Sequence, residues 1–419
     1  MVLCTGCGGS GAPARHDAGG EPDAMADARV DAIPDARDPT VRIRLPPGPR
    51  IDSYEVWFYS PRNERIAIVI APHDGVATAE MPEGGTVLVT PDPVTGNLDG
   101  LRGLFGVKPG DDIRLFPPEA LPDTSDMAIT VPAQAGTRVY RAGTPCGDGF
   151  SLTTTIHGRI ALGCQPPLPI VVEALDASDR VIGALGATST TTTSATLAGP
   201  YLAPEMVAVQ FTSGDRAASF AAELVPVVGN VALGELNQWW NGGPVAVHET
   251  ATLRIATAPA AIVDARRLNI SWSTVGGGQQ QHLRVQAATD PTFTLNAAVE
   301  ALPSYSGSSS YDTLQRKLTL RTPAGAVAAG IDGQIADLDL EPDAGQTIHW
   351  TLVIPPDVSE VVMPLLPESR FDPSMRFGVI IMIMPTRGIR ASSYAGYDDF
   401  RRGVPVTLPV GSYYDVTSW

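Results

Sequence analysis

Val41-Arg42-Ile43-Arg44-Leu45 alternates apolar and cationic side chains along one short run. A period of two belongs to extended chain, whose successive side chains leave opposite faces. Val41, Ile43 and Leu45 then share a face fit for burial, and both arginines face water. Outward from this run, short strands are predicted at Tyr54 to Tyr59, Ile66 to Ile70, Val76 to Met81, Thr86 to Thr90, Leu101 to Val107 and Asp112 to Phe116. Turn clusters such as Pro82-Glu83-Gly84-Gly85 and Thr95-Gly96-Asn97 separate them. About seven short strands in some eighty residues is the count of one β-sandwich.

The whole composition agrees with this local reading. Hydrophobic residues make up 43% and charged residues 18% of 419 residues, with 42 Gly and 38 Pro. Gly and Pro at that density supply turn dihedrals and interrupt helices. A chain of this length can hold two to four domains with full cores. Net charge is −16, and lysine occurs only at Lys108 and Lys317. That balance argues against nucleic acid as a partner, because phosphate binding depends on Lys and Arg. It suits an exported, self-repelling chain. No run reaches the roughly 18 apolar residues of a spanning helix. The greasiest run, Val379 to Met384, has the length of a buried strand and ends at Pro385.

Two further β-rich segments follow the first. In residues 123–225, Met127, Ile129 and Val131 alternate with small or polar residues. Asp176-Ala177-Ser178-Asp179 is placed to turn a hairpin. The tract Thr188 to Ser194 contains only Ser and Thr, fitting an edge strand or a loop. In residues 226–419, Leu268, Ile270 and Trp272 alternate with Asn269 and Ser271, and Trp350 to Ile354 reads as a strand. Short helices are expected at Thr292 to Leu302 and Tyr311 to Leu318. Within the first segment, His73-Asp74-Gly75-Val76-Ala77-Thr78 and Met81-Pro82-Glu83-Gly84-Gly85-Thr86-Val87 resemble the carboxypeptidase-regulatory or prealbumin-like sandwich. That resemblance implies a stalk or adhesion module.

Met1-Val2-Leu3-Cys4-Thr5-Gly6-Cys7 resembles the end of a bacterial lipoprotein signal peptide. The resemblance implies that residues 1–7 are a signal remnant. Thr5 and Gly6 would be the small residues before cleavage, and Cys7 the acylated acceptor. A membrane partner held through that lipid follows, with the outer membrane as the expected location. Gly6, Gly8 and Gly11 also fit a dinucleotide fingerprint, but neither a strand before nor a helix after accompanies them. From Asp23, an Asp-Ala tract repeats every four residues to Ala36, flanked or interrupted by Pro22, Pro34 and Pro39. In a helix its acids would stack and repel. Residues 8–39 are therefore expected to be a disordered tether, spanning roughly 100 Å extended and about 30 Å as a coil.

With Cys4 leaving in the signal and Cys7 lipidated, Cys146 and Cys164 remain as an even pair. An oxidising compartment makes a disulfide their expected state. A metal there would need more ligands than His157 alone supplies. Asp337, Asp339 and Glu341 invite a calcium reading. Their alternation with Ala336, Leu338 and Leu340 instead predicts a solvated strand face. Asn97, Asp99 and Gly100 resemble the tail of a calcium loop whose first position is Thr95 rather than Asp. No metal or cofactor is assigned. His16, His73, His157, His248, His282 and His349 fall in no metal motif, and no G-x-S-x-G or S-x-x-K nucleophile motif occurs.

Trp239-Trp240-Asn241-Gly242-Gly243 stands apart. Neighbouring aromatics can form a sugar-stacking platform, although two in one strand point to opposite faces, and a junction core would also use them. The expectation is an all-β protein: tandem Ig-like or prealbumin-like sandwiches at 40–122, 123–225 (with the disulfide) and 226–419, behind the tether. Its leading function is a non-catalytic structural, adhesion or assembly module. The alternatives are a glycan or matrix binder using Trp239 and Trp240, with polysaccharide or surface proteins as partners, and a secreted hydrolase whose site lacks a motif.

Overall fold

The computed structural model describes residues 38–45, 54–70, 75–90, 101–115, 124–161, 164–229, 231–233, 239–274, 278–303, 309–312, 314–320, 330–340, 348–364, 381–383, 386–403 and 409–418. Cys7, residues 8–37 of the tether and residues 97–100 lie outside them. Among the described residues there are thirty strands and only two helices, Ala297–Glu300 and Tyr397–Arg401. Asp38–Trp419 forms one compact unit.

The opening pentad behaves as its alternation demands. Val41 and Ile43 are fully buried, and Arg44 turns outward to pair with Asp112 at 2.6 Å. Thr40–Arg44 pairs antiparallel with Val76–Glu80 and parallel with Asp112–Arg114, giving a three-stranded sheet. This sheet covers one face of a much longer one.

The long sheet has fourteen strands and does not follow chain order. One end is built from Arg65–Ile70, Glu55–Tyr59, Gly85–Thr90 and Leu101–Val107. Ile348–Ile354 joins Leu101–Val107 in parallel, so the C-terminal third continues the N-terminal sheet. Gly333–Leu340, Arg387–Ala391, Tyr413–Ser418, Gln279–Ala287, Ala265–Thr274 and Ala218–Val228 carry it onward.

Glu55–Tyr59 shows why one strand can lack alternation. Val56 and Phe58 enter the core under the three-stranded sheet, with Ile43, Ala77 and Leu104. Trp57 and Tyr59 enter a second core on the opposite face, with Trp350, Leu352 and Val361. Full burial of each such side chain contributes about 1.5–3 kcal/mol. Farther along, Leu268, Ile270 and Trp272 pack against Val207, Val209, Phe211, Phe293 and Leu295 of the sheet formed by Thr250–Thr257, Glu205–Thr212 and Thr292–Asn296.

Residues 124–196 form a separate seven-stranded sheet with its own core around Met127, Ile129, Ile156 and Ile170. Cys146 and Cys164 are joined by a disulfide, with Cα atoms 6.1 Å apart. It closes Gly147–Ser151 and Thr155–Ala161 into one loop of chain. Asp176 turns the expected hairpin, because its Oδ1 accepts from the backbone of Ser178 and Arg180. The Ser/Thr tract ends one strand at Ser189 and starts the edge strand Ser194–Thr196.

Both helix expectations need correction. Thr292–Asn296 is a strand, because Phe293 and Leu295 alternate into the core. Only Ala297–Glu300 turns helical, capped by the Asn296 side chain. Tyr311 to Leu318 is a hairpin of Ser310–Asp312 and Lys317–Thr319. The Asp312 carboxylate accepts from the backbone of Leu314 and Gln315, and this local competition favours a turn over a helix.

Candidate functional site

The face of the long sheet opposite the Leu268–Ile270–Trp272 core holds the candidate site. Asn269, Leu283 and Tyr414 stand in one cross-strand row, and Ser271, Gln281 and Val416 in the next. The period of two that sends Ile270 and Trp272 into the core necessarily sends Asn269 and Ser271 to this side.

Trp239 and Trp240 divide between the two faces. Trp240 opens the strand Trp240–Val245 opposite Ala222 and packs against the core around Trp272. Its side chain is partly buried there. Trp239 is 46% exposed and stands over the outer face. At the register shift two residues after Trp240, Gly242 leaves no room for a larger residue, since an added Cβ would lie 2.0 Å from the Phe220 ring.

Beneath Trp239 lies a cleft of about 240 Å³, lined also by Arg267, Asn269, Gln281, Leu283 and Tyr414. Its lining is more apolar than polar, with Leu283 and Val416 beside Asn269 and Gln281. Asn269 donates from Nδ2 to Glu223 Oε2 at 2.9 Å. Glu223 faces Asn269 across the strand pair and is 3% exposed. Asn269 Oδ1 and Glu223 Oε1 are buried without a hydrogen-bond partner. Burial raises the Tyr414 hydroxyl above its ordinary value, against the opposing charge of Arg387, so it stays a donor. The cleft therefore offers an aromatic plate, amide groups that donate and accept, and a neutral phenol.

The other chemically capable groups are engaged in the fold. His282 bonds to Asp415 inside the sheet at 2.8 Å. Asp337 and Asp339 differ from the expected solvated face. Asp337 is buried, accepting from Thr351 at 2.8 Å and Arg387 at 2.7 Å, and Asp339 meets His349 at 2.6 Å. His349 and Thr351 come from the next strand, whereas Arg387 lies 50 residues from Asp337, and alternation alone specifies neither pairing. Among the described residues no group of three or more His, Cys, Asp or Glu is arranged to hold a metal ion. Arg267, Gln281, Tyr414 and Glu223 escaped the sequence reading. The one available signal was the polar phase opposite Leu268, Ile270 and Trp272.

Fold and cleft together define an all-β, multi-sheet protein with an aromatic-rimmed groove on an open sheet face. No protein-family model and no curated protein matches the chain. Among solved structures, it is similar to a minor pilin, GBS52, of the Gram-positive pathogen Streptococcus agalactiae. Identity is 8% and the TM-score 0.16, over 41% of this chain and 94% of the pilin chain. It is also similar to a Ca2+-stabilised adhesin with which an Antarctic bacterium reaches out and binds ice. There identity is 12% and the TM-score 0.13, over 86% of this chain and 91% of the adhesin chain.

Proposed function

We propose that the chain is an exported, non-catalytic display module, held to the cell envelope by a lipid on Cys7 and acting in structure, adhesion or assembly. The observation that carries the reading is the use of its reactive side chains as struts. His282, Asp415, Asp337 and His349 are spent on cross-strand polar contacts within the long sheet. A body whose histidines and acids lock strands together is suited to bearing load and presenting surface. The Cys146–Cys164 disulfide accords with an oxidising compartment. The lipid would hold at about 0.8 kcal/mol per buried methylene, with more than one acyl chain making the hold durable.

Protease treatment of intact cells tests display. The folded body is expected to be cleaved from unbroken cells carrying the full chain. Protection until the envelope is opened contradicts it.

A further inference from the structure

The cleft under Trp239 has no part in the display reading, and its chemistry is specific. We propose that it is a saccharide subsite, taking one neutral pyranose unit of a polysaccharide chain. An exposed indole stands over a shallow depression of about 240 Å³, small beside drug-sized pockets. A flat aromatic surface with one wet side suits the apolar C–H face of a sugar ring. The ring's rim then meets Gln281, Asn269 and the Tyr414 hydroxyl, which include both donors and acceptors.

Buried polar atoms lie just behind the lining residue Asn269. Asn269 Oδ1 and Glu223 Oε1 are buried acceptors without partners, and leaving such groups unpaired is costly. Gln281 lines the cleft and is exposed, so its side-chain amide offers both donor and acceptor to a sugar hydroxyl. A hydrocarbon ligand offers no donor. An acidic sugar would bring its carboxylate toward Glu223, which is already a buried acid. The groove is an open sheet face rather than a closed cavity, which fits a unit inside a chain.

Affinity electrophoresis of the full chain tests this, using gels containing hydroxyethyl cellulose, xylan, mannan, galactan, dextran or polygalacturonate. The wild type is expected to be retarded by at least one neutral polysaccharide. Trp239→Ala is expected to weaken that retardation at least tenfold, Gln281→Ala several-fold, and Trp239→Phe less than Trp239→Ala. Phe150→Ala, at an exposed aromatic of the seven-stranded sheet, is expected to behave as wild type. Both Trp239 and Gln281 are exposed, so their removal is expected to leave the melting temperature unchanged. Absence of retardation in every neutral gel, retardation by polygalacturonate alone, or a Trp239→Ala variant that binds like wild type each overturns the proposal. The readout uses purified chain and does not depend on Cys7, so either proposal can fail while the other stands.

Discussion

His282 Nδ1 lies 2.8 Å from Asp415 Oδ1, with both side chains at 0% exposure. The two residues are direct partners on adjacent strands. Arg390 pairs with Asp415 at 2.6 Å, and Arg284 bonds both to Asp415 and, at 2.9 Å, to Glu300. Trp272 stacks on the imidazole with ring centroids 4.2 Å apart. One carboxylate thus ties three strands of the long sheet to its short helix.

Removing that carboxylate leaves two arginines beside an empty centre. Asp415→Asn is expected to lower unfolding stability by about 3–5 kcal/mol, read from urea denaturation. A loss below 1 kcal/mol would show that the cluster is not structural.

The same pair sets an acid limb of stability. Burial pushes the His282 imidazole below its ordinary 6.5, although the bond to Asp415 opposes this. The unfolded chain then takes up a proton that the folded chain refuses, so stability falls as pH drops below 6.5. Burial alone would raise Asp415, but His282 and Arg284 hold its carboxyl below 3.8. Its contribution is intact above 3.8 and is lost as pH falls through the folded value. His282→Gln is expected to flatten the upper part of this limb, measured as urea midpoint against pH.

Glu173 gives a slope of the opposite sign. It is buried where the seven-stranded sheet meets the main body, and accepts from the Ala258 amide at 3.1 Å. Burial lifts its carboxyl from 4.5 to about 7, against the bonds from Ala258 and Thr257. Its contribution is full below 4.5 and is lost as pH rises through about 7. Glu173→Gln keeps the acceptor without the charge. Relative to wild type it is expected to gain about 3 kcal/mol between pH 4 and pH 8. A wild-type-minus-variant difference that does not change with pH contradicts this.

Strand existence was legible because it is local. Val41, Ile43, Leu268, Ile270 and Trp272 each announce their buried face by period two. Strand pairing was not, because Leu101 finds Trp350 and Gln281 finds Val416 across long stretches of chain. The cleft shares that difficulty: Trp239, Asn269, Gln281 and Tyr414 come from four separated stretches. Trp239 alone was visible as a candidate, and the split from Trp240 followed from strand geometry. The helix expected within Thr292 to Leu302 is confined to Ala297–Glu300, because tertiary burial of Phe293 and Leu295 outweighed local pattern over Thr292–Asn296.

The Cys146–Cys164 bridge spans a sequence separation of 18. Chain-entropy reasoning assigns such a bridge about 3 kcal/mol. Paired Cys146→Ser and Cys164→Ser substitution is expected to lower the denaturation midpoint by a corresponding amount. An unchanged midpoint would show that the bridge adds nothing to the seven-stranded sheet.

The edge strand Arg65–Ile70 turns Ile66, Ile68 and Ile70 outward, at 42%, 37% and 65% exposure. It ends the long sheet with no strand beyond it among the described residues. Such an edge is a template for pairing, and a lysine blunts it. Ile68→Lys is expected to slow aggregation on heating, followed by light scattering, with little change in melting temperature.

Metabolic labelling with a clickable palmitate analogue tests the display account most directly. Cells making the full chain are expected to carry label on the protein and retain it in the membrane fraction. Cys7→Ala is expected to lose both the label and the membrane association. A wild-type chain without label, or a Cys7→Ala chain that remains labelled and membrane-bound, would contradict the account.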